Sequence, residues 1–245
     1  MLMERKYIQD RYSRQLPLIG VDGQLRLLKS TALVVGAGGL GSPTLLYLVA
    51  AGVGKVIVVD RGYVDLPDLN RQILYTEEDV GKPKALAAQE RLRKLSSSTT
   101  IIGYVMDIQD TNFEKLLADA DVVVDCLDSW SARLALNELA VRYSKTLVHA
   151  GIQSYYGQAT TVIPRQTPCL RCIVAKPAEE GKPIPVIGFT PAVLGAIEAA
   201  EAIRVLLGER PALAGELLIV DLKNMEFSKV KISRRGDCPV CGFSR

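Results

Sequence analysis

TALVVGAGGLGS, residues 31–42, decides how the rest of the chain is read. An apolar run leads into Gly36-x-Gly38-x-x-Gly41, with Gly39 inside the turn, and the next apolar run, KVIVVD at 55–60, closes on Asp60 nineteen residues after the last glycine. Strand, glycine turn, helix and a second strand ending on an acid form the pattern of a dinucleotide-binding turn. The glycines permit a sharp turn and a close approach of phosphate to the main chain, and the helix N-terminus beyond them supplies partial positive charge. The turn alone leaves NAD and ATP both open.

Working outward, 31–36, 55–60, 100–105, 121–126 and 146–150 read as strands whose near-continuous Val, Ile and Leu content suits parallel strands buried on both faces. Helical patterns at 43–51, 82–95, 111–118 and 130–143 alternate with them, and Pro43 suits a first helical turn. The fold class is therefore α/β, a Rossmann-like doubly wound, largely parallel sheet, with ligand expected beyond the carboxyl ends of the strands. After about residue 150 the pattern changes. Residues 157–163, 217–222 and 226–232 read as antiparallel C-terminal strands, 192–207 as a long helix, and the proline-rich stretch 176–191 as a crossover loop.

The chain has 245 residues, 48% of them hydrophobic, ample for a continuous core. Its 30 basic and 27 acidic residues are dispersed, giving a formal charge of +3 and no tract suited to nucleic acid. Charges crowd the N-terminus where a signal peptide needs an apolar core, and the apolar stretch at 45–59 is broken by Gly52, Gly54 and Lys55. These features predict a soluble, cytoplasmic protein with no membrane segment. Four of the five cysteines form two C-x-x-C pairs, Cys169 with Cys172 and Cys238 with Cys241. Two such knuckles can present four thiolates tetrahedrally to Zn2+, here tying together segments separated by 65 residues. A thioredoxin-like redox pair is disfavoured, since neither pair is expected to open a helix after a strand.

The stretch DLNRQILYTEEDVGKPK, residues 68–84, separates the two nucleotides. An NAD site has little use for strong cations after its ribose acid, whereas a triphosphate needs charge-assisted donors along its length. Arg71 and Lys84 supply them.

At this point the sequence resembles the MoeB/ThiF family, relatives of ubiquitin-activating enzymes. The resemblance rests on RYSRQ at 11–15, GAGGLG at 36–41, AGVGKVIVVD at 51–60, LNRQ at 69–72, DVGKPKA at 79–85, DVVVDCLD at 121–128 and the paired C-x-x-C motifs. It implies a single adenylation domain over 1–245: an N-terminal helical arm at 1–30, a nucleotide-binding half at 31–150, and a carrier-binding half at 151–245 that holds the zinc knuckles. It further implies adenylation of the C-terminal glycine of a ubiquitin-like sulfur-carrier protein ending in Gly-Gly, using ATP and Mg2+.

Carried over by the resemblance, Gly36, Gly38, Gly39 and Gly41 lie under the phosphates and Asp60 holds the ribose. Asn70, Arg71, Gln72 and Lys84 contact the nucleotide, Asp128 holds magnesium beside Ser129, and Arg14 enters the neighbouring subunit's site in a homodimer. Attack by a carboxylate needs no general base, because the group is already ionised at neutral pH. The single histidine, His149, accordingly reads as a packed core residue, and Cys126 as an inert buried thiol. The loop around Gly181 to Gly188 has no cysteine, and the chain ends four residues past Cys241 with no sulfur-donor domain. Release of the acyl-adenylate to a separate sulfurtransferase or cysteine desulfurase is the expectation.

Three positions depart from the family pattern: Asp68 replaces a neutral amide near the expected phosphates, Gly62 a second acid, and Ser129 an asparagine. They support one rival, a catalytically weakened carrier-binding relative. The other rival, an NAD-dependent oxidoreductase, shares the turn and Asp60 but leaves Arg71, Lys84 and the cysteine pairs without a role.

Overall fold

The apolar runs pair into one eight-stranded sheet of order β3-β2-β1-β4-β5-β6-β7-β8. The computed structural model describes residues 2–174 and 185–242, with the backbone alone for 2–5. The first five strands, β1 (Thr31–Val35), β2 (Lys55–Val59), β3 (Thr100–Tyr104), β4 (Val122–Asp125) and β5 (Leu147–Gln153), are mutually parallel. Then β6 (Tyr156–Val162), β7 (Glu216–Asp221) and β8 (Glu226–Lys231) continue the sheet antiparallel.

Period-two alternation explains why β1 reads as uninterrupted apolar sequence. Ala32 and Val34 face a core built with Leu45, Leu48, Ala88, Leu92 and Ala199, while Leu33 and Val35 face a second core with Phe113, Leu117, Leu134 and Leu136. The first layer comes from α3 (Gly41–Ala51), α4 (Lys84–Leu95) and α8 (Phe189–Leu207), the second from α5 (Phe113–Asp119) and α6 (Trp130–Arg142). Both faces of the inner parallel strands are therefore dry, while the edge strand β3 is only partly covered. Among the described residues, no helix is long and apolar enough to cross a membrane.

The N-terminal arm forms α1 (Leu2–Arg11) and α2 (Leu16–Lys29), the latter kinked at Gly20, whose φ of 70° and ψ of 172° leave the helical region. Between them, Gln15 Nε2 donates to Ala51 O at 2.8 Å and Gln24 Nε2 to the same carbonyl at 3.1 Å, which fastens the arm to the end of α3. Helix α8 starts three residues before the sequence reading, inside the stretch assigned to the crossover loop. Pro191 stands in its first turn, where a missing N–H leaves no hydrogen bond unmade. Residues 176–184 of that loop lie outside the described residues.

Candidate functional site

Beyond the carboxyl ends of β1, β2, β3 and β4 lies a cavity of about 680 Å³. Its walls bring together Gly36, Gly38 and Gly39 of the turn with Asp60, Asp68, Arg71, Gln72, Lys84, Asp128 and Ser129. Each reaches the cavity for a local reason. Gly36 has φ of +99° and a Cβ there would meet Cys126 O at 2.4 Å; a Cβ on Gly41 would meet Gly36 O at 2.2 Å. The turn is this tight because it crosses the end of β4, so neither position tolerates a side chain.

Asp60, at the end of β2, accepts from Ala37 N at 2.7 Å through Oδ2 and from Gly62 N at 2.6 Å through Oδ1. The acid carried over as a ribose ligand is thus also the tie that holds the glycine turn. A Cβ added to Gly62 would lie 3.1 Å from Asp60 Oδ1, so a side chain at 62 would crowd that tie. On the other side of the turn Tyr75 Oη points at Ala37 O, 2.7 Å away, and at Lys84 O, 3.2 Å away, linking the turn to the start of α4. Burial, reinforced by the charges of Asp60, Asp68 and Asp79, pushes the Tyr75 phenol far up, so it remains a donor.

The sequence Asp65-Leu-Pro-Asp68 forms a single 3-10 turn closed by a capping box, in which Asp65 N donates to Asp68 Oδ2 at 3.1 Å. That turn aims Asp68 at the two cations. Lys84 Nζ lies 3.0 Å from Oδ2 and Arg71 Nη2 3.2 Å from Oδ1, while Gln72 Nε2 donates to Oδ1 at 2.8 Å. Arg71 Nη1 also donates to Pro67 O at 3.0 Å and to Asn70 Oδ1 at 3.1 Å. Asn70 is exposed and is not among the cavity-lining residues; it reaches the site through Arg71. Arg14 is likewise exposed, in the link between α1 and α2, and lines no part of this cavity.

After β4, Ser129 caps α6 by accepting from Ala132 N at 3.3 Å, a local role well suited to the residue that stands there. Asp128, one position earlier, is exposed in the cavity. Asp128 lines the same cavity as Arg71 and Lys84, and magnesium keeps most of its waters and binds through one or two carboxylates plus substrate phosphates, so Asp128 is a residue that could hold it.

Behind the cavity wall sits a closed polar cluster. Cys126 lines the cavity, yet its thiol donates to Glu198 Oε2 at 3.4 Å, and Thr44 Oγ1 donates to the same oxygen at 3.2 Å. Burial, with a further contribution from the Asp125 charge, pushes the Glu198 carboxyl up to about 8. Burial also raises the Cys126 thiol well above its ordinary range, so it is protonated at neutral pH. His149 Nδ1 is 2.7 Å from Asp125 Oδ2, both groups fully buried, and desolvation lowers its pKa against the pull of Asp125. His149 is absent from the cavity wall.

The four knuckle cysteines converge, with all Sγ atoms within 4.8 Å of one another. Sγ of Cys169 is 3.7 Å from that of Cys238, and Sγ of Cys172 is 3.3 Å from that of Cys241. Four sulfurs at these separations fit the edges of a tetrahedron with metal–sulfur bonds of about 2.3 Å, so the cluster can hold zinc. One premise of the sequence reading needs correction: Cys169 does open a helix, the single turn α7 (Leu170–Ile173). The convergence of the second pair on it makes the site a metal cluster in geometry all the same.

Sequence reasoning missed one lining segment and two single residues. Met106, Asp107, Ile108 and Gln109 line the cavity because they follow β3, a position that the rule of ligands at strand ends already marks. Tyr75 and Glu198 carried no such signal, since each acts through contacts distant in sequence.

The chain matches the ThiF family over residues 12–240. It is 44% identical to the sulfur carrier protein adenylyltransferase of Thermus thermophilus over 95% of this chain and 90% of that protein. It is 40% identical to the SAMP-activating enzyme E1 of Haloferax volcanii, over 95% of this chain and 88% of that one. Among solved structures, Escherichia coli MccB superposes with a TM-score of 0.87 at 23% identity, covering 96% of this chain and 73% of that one, a likeness of fold. The glycine turn, the cations that follow it and three of the four cluster cysteines fall within the matched residues, and the chain belongs to the ThiF family.

Proposed function

We propose that the chain adenylates the C-terminal glycine carboxylate of a ubiquitin-like sulfur carrier ending in Gly-Gly, consuming ATP and releasing pyrophosphate. The observation that carries this reading is the placement of Arg71, Lys84 and Asp128 around one cavity floored by the glycine turn. A nicotinamide cofactor would leave that arrangement of charge unused; a triphosphate uses all of it.

In this reading the glycine turn and the N-terminus of α3 receive the phosphates, and Asp60 accepts from the ribose hydroxyls with lone pairs its two amide donors leave free. A carboxylate oxygen of the carrier forms a bond to the α-phosphorus while the bond from that phosphorus to the bridging oxygen of pyrophosphate breaks. Two anions must meet, so catalysis consists of positioning and charge neutralisation by Arg71 and Lys84. Magnesium held by Asp128 would neutralise charge on the departing pyrophosphate. Arg14 would serve the site of a second copy in a homodimer. Zinc on the four cysteines, with no open coordination position, would brace the carrier-binding half. Cys126 is buried and protonated, so no thiol of the pocket takes the acyl group, and sulfur would come from a separate sulfurtransferase or cysteine desulfurase.

The test is ATP–pyrophosphate exchange against a panel of the host's ubiquitin-fold proteins ending in Gly-Gly. One of them should support exchange, and Asp128→Ala or Arg71→Ala should lower it by about 100-fold or more. Full exchange in either variant would refute these roles.

A further inference from the structure

Asp68 is the acid that stands among the pocket's cations. Its side chain, 12% exposed, is met by four donors: the amide of Asp65, Gln72 Nε2, Arg71 and Lys84, all within 3.2 Å. A carboxylate has about four lone-pair sites, so this one is fully engaged. The backbone amide and the buried Gln72 fix it in place, which means that it stays when a ligand arrives.

The charges lining the cavity then balance. Among the described residues, four acids (Asp60, Asp68, Asp107, Asp128) face four bases (Arg61, Arg71, Lys84, Arg133), a formal sum of zero. Arg61 is 2.7 Å from Asp107, and Arg133 is committed to Leu127 O from a buried position. Arg71 and Lys84 remain for phosphate, and Asp68 lies between them. A free triphosphate reaching these cations therefore meets a fixed anion at short range, whereas a triphosphate already carrying a divalent cation brings much less net charge.

Building on the ATP reading above, we infer that Asp68 is a positioning and selectivity residue: it holds Arg71 and Lys84 in place before nucleotide arrives and makes the pocket select the divalent-cation complex of the triphosphate over the free anion. A neutral amide at position 68 leaves the lining at a formal +1 and removes the selection.

The test is calorimetric titration of the full chain with ATP, in excess Mg2+ and in EDTA, for the wild type and Asp68→Asn. The wild type should prefer the magnesium complex by at least about tenfold, and the variant should compress that preference by about tenfold, chiefly by binding free ATP more tightly. An unchanged preference, or a loss of affinity for both forms, overturns the inference. A wild type that binds ATP in neither condition refutes the ATP reading itself, a separate outcome. Should the variant lose cooperative unfolding, AMP decides with the wild-type chain. Lacking the outer phosphates, it should bind with less than about threefold dependence on Mg2+, and a dependence equal to that of ATP contradicts the proposal.

Discussion

Two sets of carboxylates meet at the end of β4, one open and one closed, and they use their surroundings in opposite ways. On the open side Asp68 and Asp128 line the cavity, and Arg71 and Lys84, which Asp68 holds, are within reach of a ligand there. On the closed side Asp125 and Glu198, both 0% exposed, are held by fixed partners: His149 and the Leu127 amide for the first, Thr44 and Cys126 for the second. Cys126 borders both sets, lining the cavity and donating to Glu198. The difference teaches that charge near this site splits into groups that govern binding and groups that govern stability.

Substitution on the open side should break function while leaving the fold intact. Arg71→Ala or Lys84→Ala is expected to lower carrier-dependent exchange by about 100- to 1000-fold, with a thermal midpoint within a few degrees of wild type. A comparable loss of stability would erase the distinction. On the closed side the pattern should invert. Asp125→Ala strips the buried His149 and the half-buried Leu127 amide of their acceptor and should cost about 3 kcal/mol in denaturant unfolding, while ATP affinity in calorimetry changes by less than about threefold.

Glu198 sharpens the comparison through pH. Folded, its carboxyl titrates at about 8, against 4.5 for the ordinary group. Between those values the folded chain keeps a proton that the unfolded chain has released, so stability falls as pH rises from about 4.5 to about 8 and levels off above. Glu198→Gln does not titrate. It should melt a few degrees above wild type at pH 8, with the gap closing towards pH 5. A gap that widens on acidification would show that the native state holds this carboxylate charged. The smallest effect is expected at the shared residue: Cys126→Ala leaves Thr44 on Glu198 and should cost about 1 kcal/mol or less in the same unfolding assay.

The parallel half of the sheet was legible because its strands are buried on both faces and so are written as unbroken apolar runs. Strand β4 spans Val122–Asp125 where 121–126 was expected, and β2 and β3 agree to within a residue. The far edge was legible for another reason. β8 is exposed along its whole length, and its β-favouring Phe227 and Val230 with the turn before them carried the signal. The start of α8 was hidden because Pro191 and Gly188 read as loop residues until Pro191 is seen in a first helical turn. At the site, spacing brought out the glycine turn, Asp60, Arg71 and Lys84, since all follow strand ends within one βαβ pattern. The second role of Asp60, as an acceptor for the turn's own amides, and the grip of Asp68 on both cations depend on side-chain geometry that no spacing encodes. Asp68 was visible only as a departure, and the fold shows what that departure touches.

The central claim is that the cavity serves activation of a carboxylate at a carrier's C-terminus. It is tested most directly by incorporation of labelled pyrophosphate into ATP with a Gly-Gly-ending ubiquitin-fold carrier from the same host, its C-terminus either free or blocked as the amide. The account predicts Mg2+-dependent exchange with the free carboxylate and none with the amide or without carrier. Exchange that ignores the carrier's C-terminus, or tight binding of the free carrier with no exchange at all, would contradict it.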